Sequence, residues 1–148
     1  MKNILFLLAL FLFGLALGIF PIAQAQQAAA KKTSFVINSP DFKTGEFIPT
    51  QFTCEGANTI PALAWQGEPA GTKSLALLVE DPDAPSGTWT HWVVYNIATD
   101  IKAIPPLPQD ARQGRTSAAK NNYSGPCPPK STGVHRYFFR LYALDATL

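Results

Sequence analysis

The chain has 148 residues, with 12 Lys and Arg against 10 Asp and Glu, and a formal charge of +2. So even a balance excludes nucleic-acid binding through a broad basic field, and no zinc-finger or P-loop spacing offers another route. Thirteen prolines, with Pro-Pro at 105–106 and 128–129, exclude long helices through most of the chain.

Met1-Lys2-Asn3 is a short basic start, and Ile4 to Phe20 carries no charge. Pro21 breaks that run, and Ala23-Gln24-Ala25 gives the small-x-small pattern of a signal-peptidase site. The reading is a signal peptide over residues 1–25, with an uncleaved anchor as the alternative, since the apolar run is at the short edge of a membrane span. No Cys lies near the cleavage point to carry a lipid anchor. Residues 26–33 are Ala- and Lys-rich without periodicity and read as a flexible lead-in. The expected location is periplasmic or secreted, with no membrane span after cleavage.

From Ser34 onward the signals are short apolar runs between Pro/Gly clusters. "SFVIN" is a first strand. "KSLALLVE" (Lys73 to Glu80) is nearly continuous and suits a strand covered on both faces. "HWVVYNI" (His91 to Ile97) and "HRYFFRLYAL" (His135 to Leu144) are rich in β-branched and aromatic residues. The fold class is all-β, a sandwich with long Pro/Gly-rich loops, forming one domain over residues 34–148.

Two loops gather chemistry. "DPDAP" places Asp81 and Asp83 on a turn stiffened by Pro82 and Pro85. Each carboxylate could simply cap local N–H groups, but two so close repel unless a cation or a proton answers them. With period 2, His91, Val93, Tyr95 and Ile97 share one face, and His135, Tyr137, Phe139 and Leu141 another, each His at a strand end. Either His alone reads as structural; both after rigid loops form a constellation. "SGPCPPKSTG" can offer backbone N–H groups as an anion nest, or be no more than a rigid loop. Cys54 and Cys127 are in a chain read as exported, so they form a disulfide or remain two separate thiols; sequence does not give the Cα separation that decides.

D-P-D-A-P followed by W-x-H-W, then G-P-C-P-P leading to G-x-H-R-Y, resembles the two signatures of the phosphatidylethanolamine-binding protein family, also called Raf kinase inhibitor-like. The upstream "IPTQFTCEGANTIPALAW" is similar to the bacterial branch, and the likeness runs from about Ser34 to Asp145. The resemblance implies a β-sandwich whose small pocket takes phosphate, acetate or a phospholipid headgroup, without catalysis, cofactor or metal. The pocket residues it implies are Asp81, Asp83, Pro85, Trp89 and His91, then Gly125, Pro129, His135 and Tyr137. Arg136 is expected to pair with one Asp. Pro61-Ala62 stands where the family usually has Pro-Pro, and Ser131 where a Gly is common. The chain stops at Leu148, so the family's C-terminal strand and helix are expected to be missing.

Four functions follow. A binding module would hold phosphate on N–H groups and a protonated His, an ammonium facing Asp81 or Asp83, and bind anions more tightly near about pH 5.5 than near about pH 8. A hydrolase would need Ser86, Ser124 or Cys127 as nucleophile, yet no nucleophile elbow surrounds them. A metal site would use His91, His135 and an Asp. An inhibitor would act on a protease or kinase-like protein partner.

Overall fold

The computed structural model describes residues 34–148. The leader and lead-in expected over residues 1–33 lie outside them. Seven strands follow in order: β1 (Val36–Asn38), β2 (Leu63–Gln66), β3 (Ser74–Asp81), β4 (Trp89–Ile97), β5 (Ala103–Ile104), β6 (Arg112–Gln113) and β7 (Phe138–Leu144). They form a three-stranded sheet, β1-β2-β5, and a four-stranded sheet, β6-β4-β3-β7, with every pairing antiparallel. One 3-10 turn, Thr50–Phe52, accompanies them. The all-β sandwich expected from the sequence is the architecture observed.

Alternation builds the core. Leu63 and Trp65 of β2 point inward while Ala64 and Gln66 are exposed. They meet Leu75, Leu77 and Val79 of β3, and Trp92, Val94 and Ile97 of β4, in one buried cluster. Full burial of each aliphatic side chain there stabilises by about 1.5–3 kcal/mol. The two core indoles keep their N–H groups satisfied: Trp65 Nε1 donates to the Ile101 carbonyl at 3.1 Å and Trp92 Nε1 to Gln113 Oε1 at 2.7 Å.

Two expectations about β4 are corrected. The strand begins at Trp89, so His91 lies inside it rather than at its start. Nor do His91, Val93, Tyr95 and Ile97 share a face. Val79 pairs with Trp92 but Glu80 with Thr90, leaving His91 as the extra residue of a bulge. A second shift between Leu75 and Leu77, where Asn96 adopts φ 57°, returns Ile97 to the Trp92 and Val94 face. A bulge breaks the period of two and re-aims the side chain that it carries. β7 likewise starts at Phe138, so His135 and Tyr137 precede the strand and are placed by the loop.

Candidate functional site

The acidic turn follows directly from β3. Asp81, the last residue of that strand, is 3 % exposed. Its Oδ1 accepts the Asp83 N–H at 2.8 Å, closing the Asx-turn that a D-P-D sequence favours. Its Oδ2 is 2.7 Å from His135 Nδ1, across 54 residues of chain. The second signature loop thus folds back onto the first. The other ring nitrogen of His135 is also engaged, Nε2 lying 2.8 Å from Thr132 Oγ1.

Asp83 is answered by Arg136, as the repulsion between the two acids requires. The guanidinium grips it in a fork, Nε to Oδ2 at 2.8 Å and Nη2 to Oδ1 at 2.6 Å, and the Arg136 N–H adds 2.9 Å to Oδ2. Those bonds hold the Asp83 carboxyl well below the usual carboxylate range and raise Arg136 in turn. Because the fork is exposed and screened, its main effect is on geometry: it pins the loop before β7 to the turn after β3.

His91 and Tyr137 complete the cluster, their rings edge to face at 5.3 Å. His91 Nδ1 is 2.7 Å from the Ser124 carbonyl, which can only accept, so Nδ1 carries the proton. Its Nε2 makes no hydrogen bond among the described residues. Burial lowers the His91 pKa, opposed by the Ser124 carbonyl and by the nearby Asp81 charge. The Tyr137 hydroxyl is buried, faces the Asp81 carboxylate and the Cys127 backbone, and makes no hydrogen bond of good geometry among the described residues. Burial, and then the Asp81 carboxylate, push its pKa up to about 12, so the group is a proton donor at any ordinary pH.

The loop behind this cluster is clamped to the segment after Pro49. The Tyr123 hydroxyl donates to the Phe52 carbonyl at 2.9 Å, Gly125 N–H to Asn58 Oδ1 at 2.7 Å, and Cys54 N–H to the Pro126 carbonyl at 3.1 Å. Cys54 and Cys127, left open between bridge and free thiols, form a disulfide with Cα atoms 5.4 Å apart. Gly125 serves this clamp: a Cβ there would sit 2.0 Å from the Phe52 carbonyl oxygen. Its expected close approach is therefore to the protein's own backbone.

Trp89 is half-buried opposite Asp81 in the β3–β4 ladder. Pro85 and Pro129 are exposed, and the Pro129 carbonyl holds the Thr132 hydroxyl at 2.8 Å. Of the hydrolase nucleophiles, Cys127 is in the disulfide, Ser86 is exposed, and Ser124 offers His91 its carbonyl. Among the described residues no group of three His, Cys, Asp or Glu is arranged to hold a metal ion. Thr132 and Asn58 were not expected from the sequence; Thr132 stands one turn before His135, but nothing in "EGANT" marks Asn58. Ala62, where a second Pro is usual, uses its N–H to reach Asp41 Oδ2 at 2.7 Å, a bond that Pro could not make.

Comparison with known proteins bears on the fold and the family. A UPF0098 protein of Methanothermobacter thermautotrophicus is 50% identical over 108 residues, covering 68% of this chain and 70% of that protein. A protein of Mycobacterium tuberculosis that carries the name lipoprotein LppC is 45% identical over 114 residues, covering 76% of this chain and 56% of that one. The chain thus spans between 56% and 70% of the length of these relatives. The crystal structure of Escherichia coli YbcL, described as a member of the mammalian PEBP family, superposes with a TM-score of 0.72 at 40% identity, over 77% of this chain and 79% of that one. None of these names is an enzyme's. The profile of the phosphatidylethanolamine-binding protein matches residues 38–148, and the chain belongs to that family.

Proposed function

We propose that this is an exported binding protein that holds a small anion (a phosphate, a carboxylate or a phosphorylated headgroup) between His91 and Tyr137. The observation that carries this reading is the Tyr137 hydroxyl, a buried donor with no hydrogen bond among the described residues, on a ring packed edge to face against His91. An unsatisfied buried hydroxyl costs about 1–3 kcal/mol, a cost that a bound acceptor removes. Asp81 and Asp83 are each engaged by donors, which offsets their repulsion of an anion and favours the anionic end of a headgroup over an ammonium. Export is supported by the leader pattern and by a disulfide, which persists in oxidising compartments.

The pH dependence follows from the tautomer. With Nδ1–H committed to Ser124, His91 can donate from Nε2 only as the imidazolium. Anion binding therefore takes up a proton, and affinity rises as pH falls, by at most about tenfold per pH unit. Because burial lowers the His91 pKa, the rise continues below the ordinary imidazole range. Sulfate, whose charge is constant over that range, is the suitable probe in calorimetry from about pH 8 to about pH 5. A flat affinity would remove His91 from the site.

Tyr137→Phe separates binding from folding. Sulfate affinity is expected to fall about tenfold or more, the worth of a hydrogen bond to a charged group. Folding stability should hold or rise, because the substitution deletes a buried hydroxyl that makes no hydrogen bond of good geometry among the described residues. Unchanged sulfate affinity would place the anion elsewhere.

A further inference from the structure

A concavity elsewhere on the molecule is unrelated to the His91–Tyr137 cluster in its chemistry. It lies where the edges of the two sheets approach, between the residues after β5 and strand β6, and has a volume of about 440 Å³. That is within the range of small-molecule sites, roughly 300–1,000 Å³. Ile60, Leu107 and Tyr123 give it an apolar surface, and Asn58, Gln113 and Asn122 supply carboxamides. Among the described residues no charged side chain lines it, so they offer neither an anion nor a cation a counter-charge there.

Two of the carboxamides have their orientation fixed from behind. Asn58 Oδ1 accepts the Gly125 N–H at 2.7 Å, and Gln113 Oε1 accepts the indole N–H of buried Trp92 at 2.7 Å. With the oxygens committed inward, the NH2 groups are the ends left for the groove, and neither makes a hydrogen bond among the described residues. The groove therefore presents fixed donors, uncharged, beside branched aliphatic surface. Its complement is an uncharged ligand with a strong acceptor next to a small apolar group.

We propose that this groove is a second binding site, for an uncharged N-acyl group: a secondary-amide carbonyl taken by the Asn58 and Gln113 NH2 groups, with the adjoining methyl against Ile60 and Leu107. N-acetylated amino sugars and peptide bonds both carry this chemistry. The full chain, labelled with nitrogen-15, is titrated with N,N′-diacetylchitobiose in one arm and N-acetylalanine methylamide in the other, while the side-chain NH2 resonances of Asn58 and Gln113 are followed. Cellobiose, which has hydroxyls but no acetamido group, is the control. Both NH2 pairs are expected to shift with at least one acetylated ligand and not with cellobiose, and the arm that responds identifies the source. Gln113→Glu keeps an oxygen for Trp92 and turns the donor into an acceptor, so affinity should fall about tenfold or more while sulfate binding stays unchanged. Asn58→Asp repeats the exchange with Gly125 still held, should Gln113→Glu fail to fold. No shift in either arm, equal shifts with cellobiose, or affinity indifferent to both substitutions would overturn the proposal.

Discussion

Asp81→Ala is expected to cost about 3–5 kcal/mol of folding stability, the range for removing one partner of a buried pair. Asp81 is 3 % exposed and its carboxylate serves two donors, so its removal leaves the buried His135 Nδ1 and the part-buried Asp83 N–H without an acceptor. His135→Ala removes the other partner, leaves the buried carboxylate without it and deletes the Thr132 bond as well, so its cost should fall in the same range. The double variant should then show coupling, about 0.5–3 kcal/mol, as residues in one hydrogen-bond network do. Denaturant melts of the four proteins measure all of this. A loss under about 1 kcal/mol for Asp81→Ala would mean that the two signature loops are held together by other contacts.

Such a result would bear on more than stability. Asp81 is the hinge of the cluster: it closes the turn, holds His135, and places its charge near His91 and Tyr137. His135 has both ring nitrogens occupied, so it supports the site while His91 retains the open one. The two histidines, alike in sequence setting, thus have different parts to play. Sulfate affinity should reflect this: His91→Ala should abolish the pH dependence that His135→Ala leaves in place.

The sequence made some of this legible and hid the rest for identifiable reasons. β3 and the body of β4 and β7 declare themselves through apolar runs that are nearly continuous. β5 and β6 have two residues each, too few for any periodicity to register. β2 does alternate, but only over Leu63–Gln66 and directly after Pro61-Ala62, so it reads as part of the breaker-rich stretch. The face assigned to His91 was wrong because two bulges interrupt β4, and only Asn96, a residue type tolerant of positive φ, hints at either. Candidate site residues could be named because motifs carry identity. Their partners could not be: whether Arg136 takes Asp81 or Asp83, and which nitrogen of each His is free, depends on how loops 54 residues apart meet.

Replacing Cys54 and Cys127 together by Ser is expected to lower stability by up to about 4 kcal/mol, because the bridge closes a long loop in the unfolded chain. Its two cysteines are 73 residues apart, and the loop between them contains β2 to β6. The loss should appear mainly as increased freedom of the unfolded state, with the native loops still in place. Three non-covalent ties join the same two segments: Tyr123 to Phe52, Gly125 to Asn58, and Cys54 N–H to the Pro126 carbonyl. These hold Ser124, whose carbonyl fixes the His91 tautomer. Sulfate affinity of the folded double variant should therefore match that of the parent even as its melting midpoint falls. If affinity is lost together with stability, the ties do not suffice, and the disulfide itself positions Ser124. The reduced parent protein provides the same comparison without mutation: added dithiol should shift the thermal midpoint downward and leave binding below that midpoint intact.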